Sequence, residues 1–164
     1  MYLLDTPVVL ELRKAKAGRT DAGLASWATG IARQNLFLSA LSLLELENTA
    51  ARAEKHDKGN GQALRNWIAD QVMPAFDGRI LALDAAVMRR RAQLSLADTR
   101  DALLAATAIE HGLTLVTRQT GSFKGARVKL FNPWGYTPED EEDSDWRQAA
   151  RSGPLWFKNL FVRA

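Results

Sequence analysis

The chain has 164 residues, of which 46% are hydrophobic and 25% charged, with no cysteine and a formal net charge of +3. This is the composition of one soluble globular domain with room for a core, and it excludes disulfides, thiolate catalysis and Cys-based zinc sites. No apolar run approaches the roughly 18 residues that span a bilayer, and Asp5 arrives too early for a signal peptide, so a cytoplasmic protein without membrane contact is expected.

In chain order, Tyr2–Leu4 reads as a short buried strand, and Thr6-Pro7 suits a turn or a first helical turn. A polar stretch with Gly18 and Gly23 follows, with Leu24, Trp27 and Ile31 marking a helical face. Leu36–Ser42 is the second strand candidate and runs into a helix, LLELENTAARAEKHD, that Lys58-Gly59-Asn60-Gly61 is expected to break. Gln62–Met73 makes another helix, with Pro74 as its stop. Arg79–Leu83 is a third strand after the turn Phe76-Asp77-Gly78, and Asp84 caps the helix AAVMRRRAQL. A further helix, TRDALLAATAIEH, has Asp98 as its N-cap and Gly112 as its stop. Leu113–Thr117 and Val128–Phe131 complete five short strands separated by helices. Such alternation predicts a layered α/β fold with a mostly parallel sheet.

In an open parallel sheet, ligands bind beyond the carboxyl ends of the strands. Asp5 lies just past the first strand, Glu45 one turn into the helix after the second, and Asp101 in the first turn of the helix before the fourth. Each has a purely structural account: Asp5 as a turn or cap residue, Glu45 as a solvated helix residue, and Asp101 as an acid favoured by the helix dipole. Brought together, however, three acids repel one another unless a cation compensates, and oxygen-only ligation favours Mg²⁺ or Mn²⁺. Glu47, two positions beyond Glu45, cannot share its direction.

The stretch from Arg100 to Arg118, RDALLAATAIEHGLTLVTR, resembles the PIN-domain ribonucleases of the VapC type, and most of all their FitB-like branch. YLLDT at the start, LELRK at 10–14, LFLSALSLLEL at 36–46, DGRILALDAAV at 77–87 and LFNPW at 130–134 are similar to the same family, in order. The resemblance covers roughly residues 1–134 and implies a PIN-like three-layer α/β/α sandwich with a five-stranded sheet. It implies a ribonuclease dependent on Mg²⁺ or Mn²⁺, usually a toxin silenced by an antitoxin, and a homodimer is expected. It makes Asp5 and Asp101 direct ligands and Glu45 a ligand directly or through water, all three catalytic. Thr6 and Ser42 become supporting hydroxyls.

The sequence departs from the family pattern at Pro7, where Asn is common, at Gln119, which stands at the fourth acidic or amide position, and at Ser122, where an acid often precedes Phe. Less negative charge should weaken metal affinity, so dependence on high Mg²⁺ or on Mn²⁺ is expected. A weakened module that binds RNA or a protein partner without cutting is the alternative. Aspartyl-phosphate chemistry of the haloacid-dehalogenase kind is disfavoured, because Pro7 stands where its second Asp is needed. Arg89, Arg90 and Arg91 read as a solvated helix face rather than an RNA grip, and His56 and His111 have no metal-site partner at recognisable spacing.

Charge is uneven: residues 1–136 carry +5 and residues 137–164 carry −2. The body therefore leans modestly toward polyanions such as nucleic acid. Residues 135–164 are expected to form an acidic linker, then an apolar segment with Ser152 as a cap that docks on its own domain, on a second copy, or in an antitoxin groove.

Overall fold

The structure is a computed structural model, and it describes residues 1–138. The expectations for the acidic run at 139–143, for Ser152 and for the apolar C-terminal segment lie outside the described residues.

Among the described residues, five strands form one sheet: β1 (Tyr2–Leu4), β2 (Leu36–Ser39), β3 (Ile80–Leu81), β4 (Thr114–Val116) and β5 (Lys129–Phe131). Their order is β3-β2-β1-β4-β5, and every neighbouring pair is parallel. Alternation along these short strands sends side chains to two faces. Leu4, Leu36, Leu38 and Val116 enter one core cluster, while Leu3 and Leu115 enter the other. The three-layer α/β/α sandwich expected from the sequence is therefore present, each face of the sheet carrying its own core.

The first face is covered by α1 (Thr6–Arg13), α2 (Ala22–Gly30), α3 (Ala40–His56) and α4 (Lys58–Trp67), through residues such as Val8, Trp27, Leu46 and Leu64. The second is covered by α7 (Thr99–Glu110), which contributes Ala102, Leu104, Ala105 and Ala108, with α6 (Ala85–Ala92) packed against it. Small alanines on α7 let the helix lie close to the strands. No helix among the described residues is long and apolar enough to cross a membrane.

Two expected helix boundaries are corrected. The helix before Lys58–Gly61 does end as expected, at His56, but the next one starts at Lys58 rather than Gln62, because the Asp57 side chain accepts from the Asn60 amide at 3.1 Å and caps α4 there. Gly61 is needed there for closeness: a Cβ would lie 2.5 Å from the backbone of Glu54 on α3. Pro74 does not stop the following helix either. A π-helical turn over Ile68–Val72 widens the coil, and the chain continues into α5 (Met73–Ala75). Such a turn relieves the ring clash and missing N–H of a helical proline. The end comes instead where Arg33 and Arg79 donate to the carbonyls of Pro74 and Ala75.

The second strand ends at Ser39 rather than Ser42, because the Ser39 hydroxyl accepts from the Leu41 amide at 3.2 Å and starts α3. The third strand shortens to Ile80–Leu81. Packing continues beyond Trp134: the backbone of Gly135 and Tyr136 crosses Gly23 on α2 so closely that a Cβ there would lie 2.4 Å from the Tyr136 amide.

Candidate metal centre

The order of strands reverses between β1 and β4, and in open parallel sheets that switch point opens a crevice at the carboxyl edge. Register places Leu4 beside Leu38 and beside Val116, so the next residues, Asp5, Ser39 and Thr117, emerge at one level. The Asp5 amide bonds the Val116 carbonyl at 3.0 Å, which continues the ladder one step past β1.

Asp5 stands at the N-cap position of α1, yet its side chain makes no capping hydrogen bond. It is buried, accepts from the Thr117 hydroxyl at 2.7 Å through Oδ2, and accepts from Arg100 through Oδ1. The capping account of Asp5 thus holds for its backbone and fails for its carboxylate.

Glu45, on the second turn of α3, accepts from Arg100 at 2.7 Å and 3.1 Å on its two oxygens, and from the Thr6 hydroxyl. Asp101 lies in the first turn of α7. Its amide is capped by Asp98 at 2.8 Å, and its carboxylate accepts from Arg100 at 2.9 Å. The structure therefore gathers Asp5, Glu45 and Asp101 from three separate elements around one guanidinium. Side-chain exposure rises from 3% at Asp5 through 14% at Asp101 to 25% at Glu45, so Asp5 is the most deeply buried of the three.

Burial alone would raise the Glu45 carboxyl, but hydrogen bonds from Arg100 and Thr6 and the charges of Arg100 and Arg52 outweigh it. They hold Glu45 below its ordinary range. Burial likewise works against the charge on Arg100, and its pairing with Glu45, Asp5 and Asp101 more than restores it.

An open cavity of about 440 Å³ lies over these groups, lined by Thr6, Glu45, Arg52, Arg100, Asp101 and Gln119 among others. A second hollow of about 450 Å³ shares Glu45 and Arg52 with it and adds Asn48, Ala51 and Lys55 along α3. Glu45 and Arg52 thus border both hollows, and Lys55 borders the second.

Of the expected site residues, Thr6 is tied directly to Glu45, and Gln119 lines the cavity while its amide donates to the Thr117 hydroxyl at 3.1 Å. Ser42 is not joined to this network: its hydroxyl is buried and has no hydrogen-bond partner among the described residues. Arg90 and Arg91 bond Glu110, Gln93 and the carbonyls of Leu94 and Leu96, as a structural helix face would.

Two participants carried no role in the sequence reading. Arg100 had a signal, since a cation in the first turn of a helix opposes the dipole and needs a reason. Thr117 had only its place after β4.

The donor set suits a hard divalent ion in kind, since it is three carboxylates converging on one positive charge. Arg100 stands where that charge is required. Among the described residues, no group of three His, Cys, Asp or Glu side chains is already arranged to hold a metal ion.

The PIN domain family profile matches residues 2–127. Toxin FitB of Neisseria gonorrhoeae (strain ATCC 700825 / FA 1090) is 35% identical over 142 residues, covering 82% of this chain and 99% of that protein. VapC ribonuclease Y4jK of Sinorhizobium fredii (strain NBRC 101917 / NGR234) is 31% identical, covering 82% and 98%. Among solved structures, the crystal structure of FitAcB from Neisseria gonorrhoeae superposes with a TM-score of 0.74 at 33% identity, covering 82% of this chain and 99% of that one.

Proposed function

Because the chain belongs to the PIN domain family, we propose that it is a metal-dependent endoribonuclease, the toxin of a toxin–antitoxin pair. The observation that carries the chemistry is the convergence of Asp5, Glu45 and Asp101 on a single cation at the sheet's switch point. The relatives named as a toxin and as a VapC ribonuclease support the biological role.

Asp5, Glu45 and Asp101 would hold Mg²⁺ or Mn²⁺. When bound, such an ion acidifies a coordinated water and offsets negative charge on a phosphodiester. The protein's own part is orientation. Thr117 fixes Asp5 and Thr6 fixes Glu45, so two carboxylates are held in place by neighbouring hydroxyls. Arg52 and Lys55 line the hollow that leads away from Glu45, where they would meet the phosphates of a single RNA strand. An antitoxin, a second copy of the chain and a cytoplasmic setting belong to the same proposal.

Incubating the purified protein with single-stranded RNA, with Mn²⁺ and then with excess chelator, tests this reading. Cleavage that the chelator abolishes is expected; undiminished cleavage in chelator, or none with any divalent ion, overturns it. A second reading, a module that binds RNA without cutting, is favoured by the uncharged Gln119 in the cavity wall. Binding without cleavage across a Mn²⁺ titration would select it.

A further inference from the structure

Arg100 uses its guanidinium on all three acids at once. Nε donates to Glu45 Oε1 at 2.7 Å, one terminal nitrogen reaches Asp5 and Glu45 Oε2, and the other reaches Asp101 at 2.9 Å. These three carboxylates are the groups that would hold a divalent ion. We propose that Arg100 is a built-in latch on the metal centre: in the metal-free protein it neutralises Asp5, Glu45 and Asp101, and metal enters only as its guanidinium withdraws. The proposal rests on the nuclease reading above and adds to it a residue that sets how much metal the site requires.

Three further observations support it. Arg100 occupies the second position of α7, where a cation opposes the helix dipole, so helix stability does not account for it. Its side chain is 31% exposed and borders the open cavity, so rotation about its own bonds can free the acids without moving the backbone of α7. The acids also remain oriented once it leaves, since Thr117 still holds Asp5 Oδ2 and Thr6 still holds Glu45. A planar fork of fixed donors is what allows one side chain to bridge three carboxylates, and a lysine could not do so equally.

The latch also accounts for the charge balance. Three carboxylates in a half-buried crevice repel one another, and Gln119 in the cavity wall adds no further charge of either sign. One guanidinium then satisfies the metal-free site, and an entering ion must first break several charge-assisted hydrogen bonds.

Mn²⁺ binding by calorimetry, with thermal unfolding of the metal-free and Mn²⁺-loaded proteins, tests this on the full chain with Arg100→Gln and Arg100→Lys. Arg100→Gln should bind Mn²⁺ roughly tenfold tighter or better, the equivalent of losing one charge-assisted hydrogen bond as competitor. Arg100→Lys should fall between it and the wild type, so the result survives if one variant folds poorly. Metal-free Arg100→Gln should melt below the wild type and gain more from Mn²⁺. Equal Mn²⁺ affinity in the three proteins overturns the latch and leaves the nuclease reading intact. No Mn²⁺ binding by any of them overturns both.

Discussion

The hydroxyl of Thr117 donates to Asp5 Oδ2 across 2.7 Å, and both residues are buried. Two adjacent parallel strands, β1 and β4, thereby end in one hydrogen bond between side chains 112 residues apart. Asp5 has its second oxygen on Arg100, so its carboxylate is aimed from both sides.

Thr117→Val keeps the shape and removes the donor. Loss of a hydrogen bond to a buried carboxylate should cost about 1.5–3 kcal/mol of stability. If Asp5 is a ligand, loss of its orienting partner should also cut Mn²⁺ affinity or activity by roughly 10–100-fold. Thr117→Ser should recover most of both. Unfolding and Mn²⁺ titrations check this, and unchanged affinity in Thr117→Val would remove Thr117 from the site.

Glu45 and Glu47 are the cleanest internal control. Glu45 meets Arg100 at 2.7 Å in the crevice, while Glu47 meets Arg65 on α4 at 3.2 Å and is 44% exposed. Glu45→Gln should lower RNA cleavage by at least about 10-fold, as expected when a metal site loses a charged ligand or its support. Glu47→Gln should leave it near the wild-type rate and change stability by less than about 1 kcal/mol. Comparable losses in both variants would mean that cleavage is not centred on Glu45.

Gln119 borders the same cavity as Glu45 and Asp101 and carries no charge. Gln119→Asp adds a hard oxygen donor and should tighten Mg²⁺ binding and raise cleavage at low metal. Calorimetry showing unchanged or weaker Mg²⁺ affinity would mean that position 119 does not face the ion.

Away from the site, Gly61→Ala tests the contact between α3 and α4. The added carbon would sit 2.5 Å from Glu54 backbone atoms, so the helices must part. Overpacking of this kind should cost about 1–3 kcal/mol, read as a lower melting temperature. A stability equal to the wild type would show that the two helices are not held this closely in solution.

Much of this arrangement was legible from the residues. Short apolar-rich runs such as Tyr2–Leu4 and Leu113–Thr117 mark strands, the second of them trimmed to Thr114–Val116, and acids at strand ends or in an adjoining helix mark the crevice. What escaped were features set by partners far along the chain. Pro74 reads locally as a stop, and only the π-turn before it and the guanidiniums of Arg33 and Arg79 after it explain where the helix ends. Lys58–Gly61 reads as a break, and α3 does end just before it, but local glycine propensity hides that these residues open α4, where tight packing on Glu54 requires Gly61. Arg100 carried no assigned role, because only the fold shows Glu45 on α3, Asp5 just past β1 and Asp101 on α7 aiming their carboxylates at it.

The central claim is that Asp5, Glu45 and Asp101 together form a metal centre that cuts RNA, and Asp5→Asn and Asp101→Asn address it most directly. Each substitution keeps size and removes the charge a hard cation needs. RNA cleavage should be measured in Mn²⁺ beside the wild type, with circular dichroism and melting curves confirming that each variant is folded. Folded proteins in which metal-dependent cleavage is abolished are expected. Folded Asp5→Asn or Asp101→Asn protein that cuts RNA as fast as the wild type would contradict the claim.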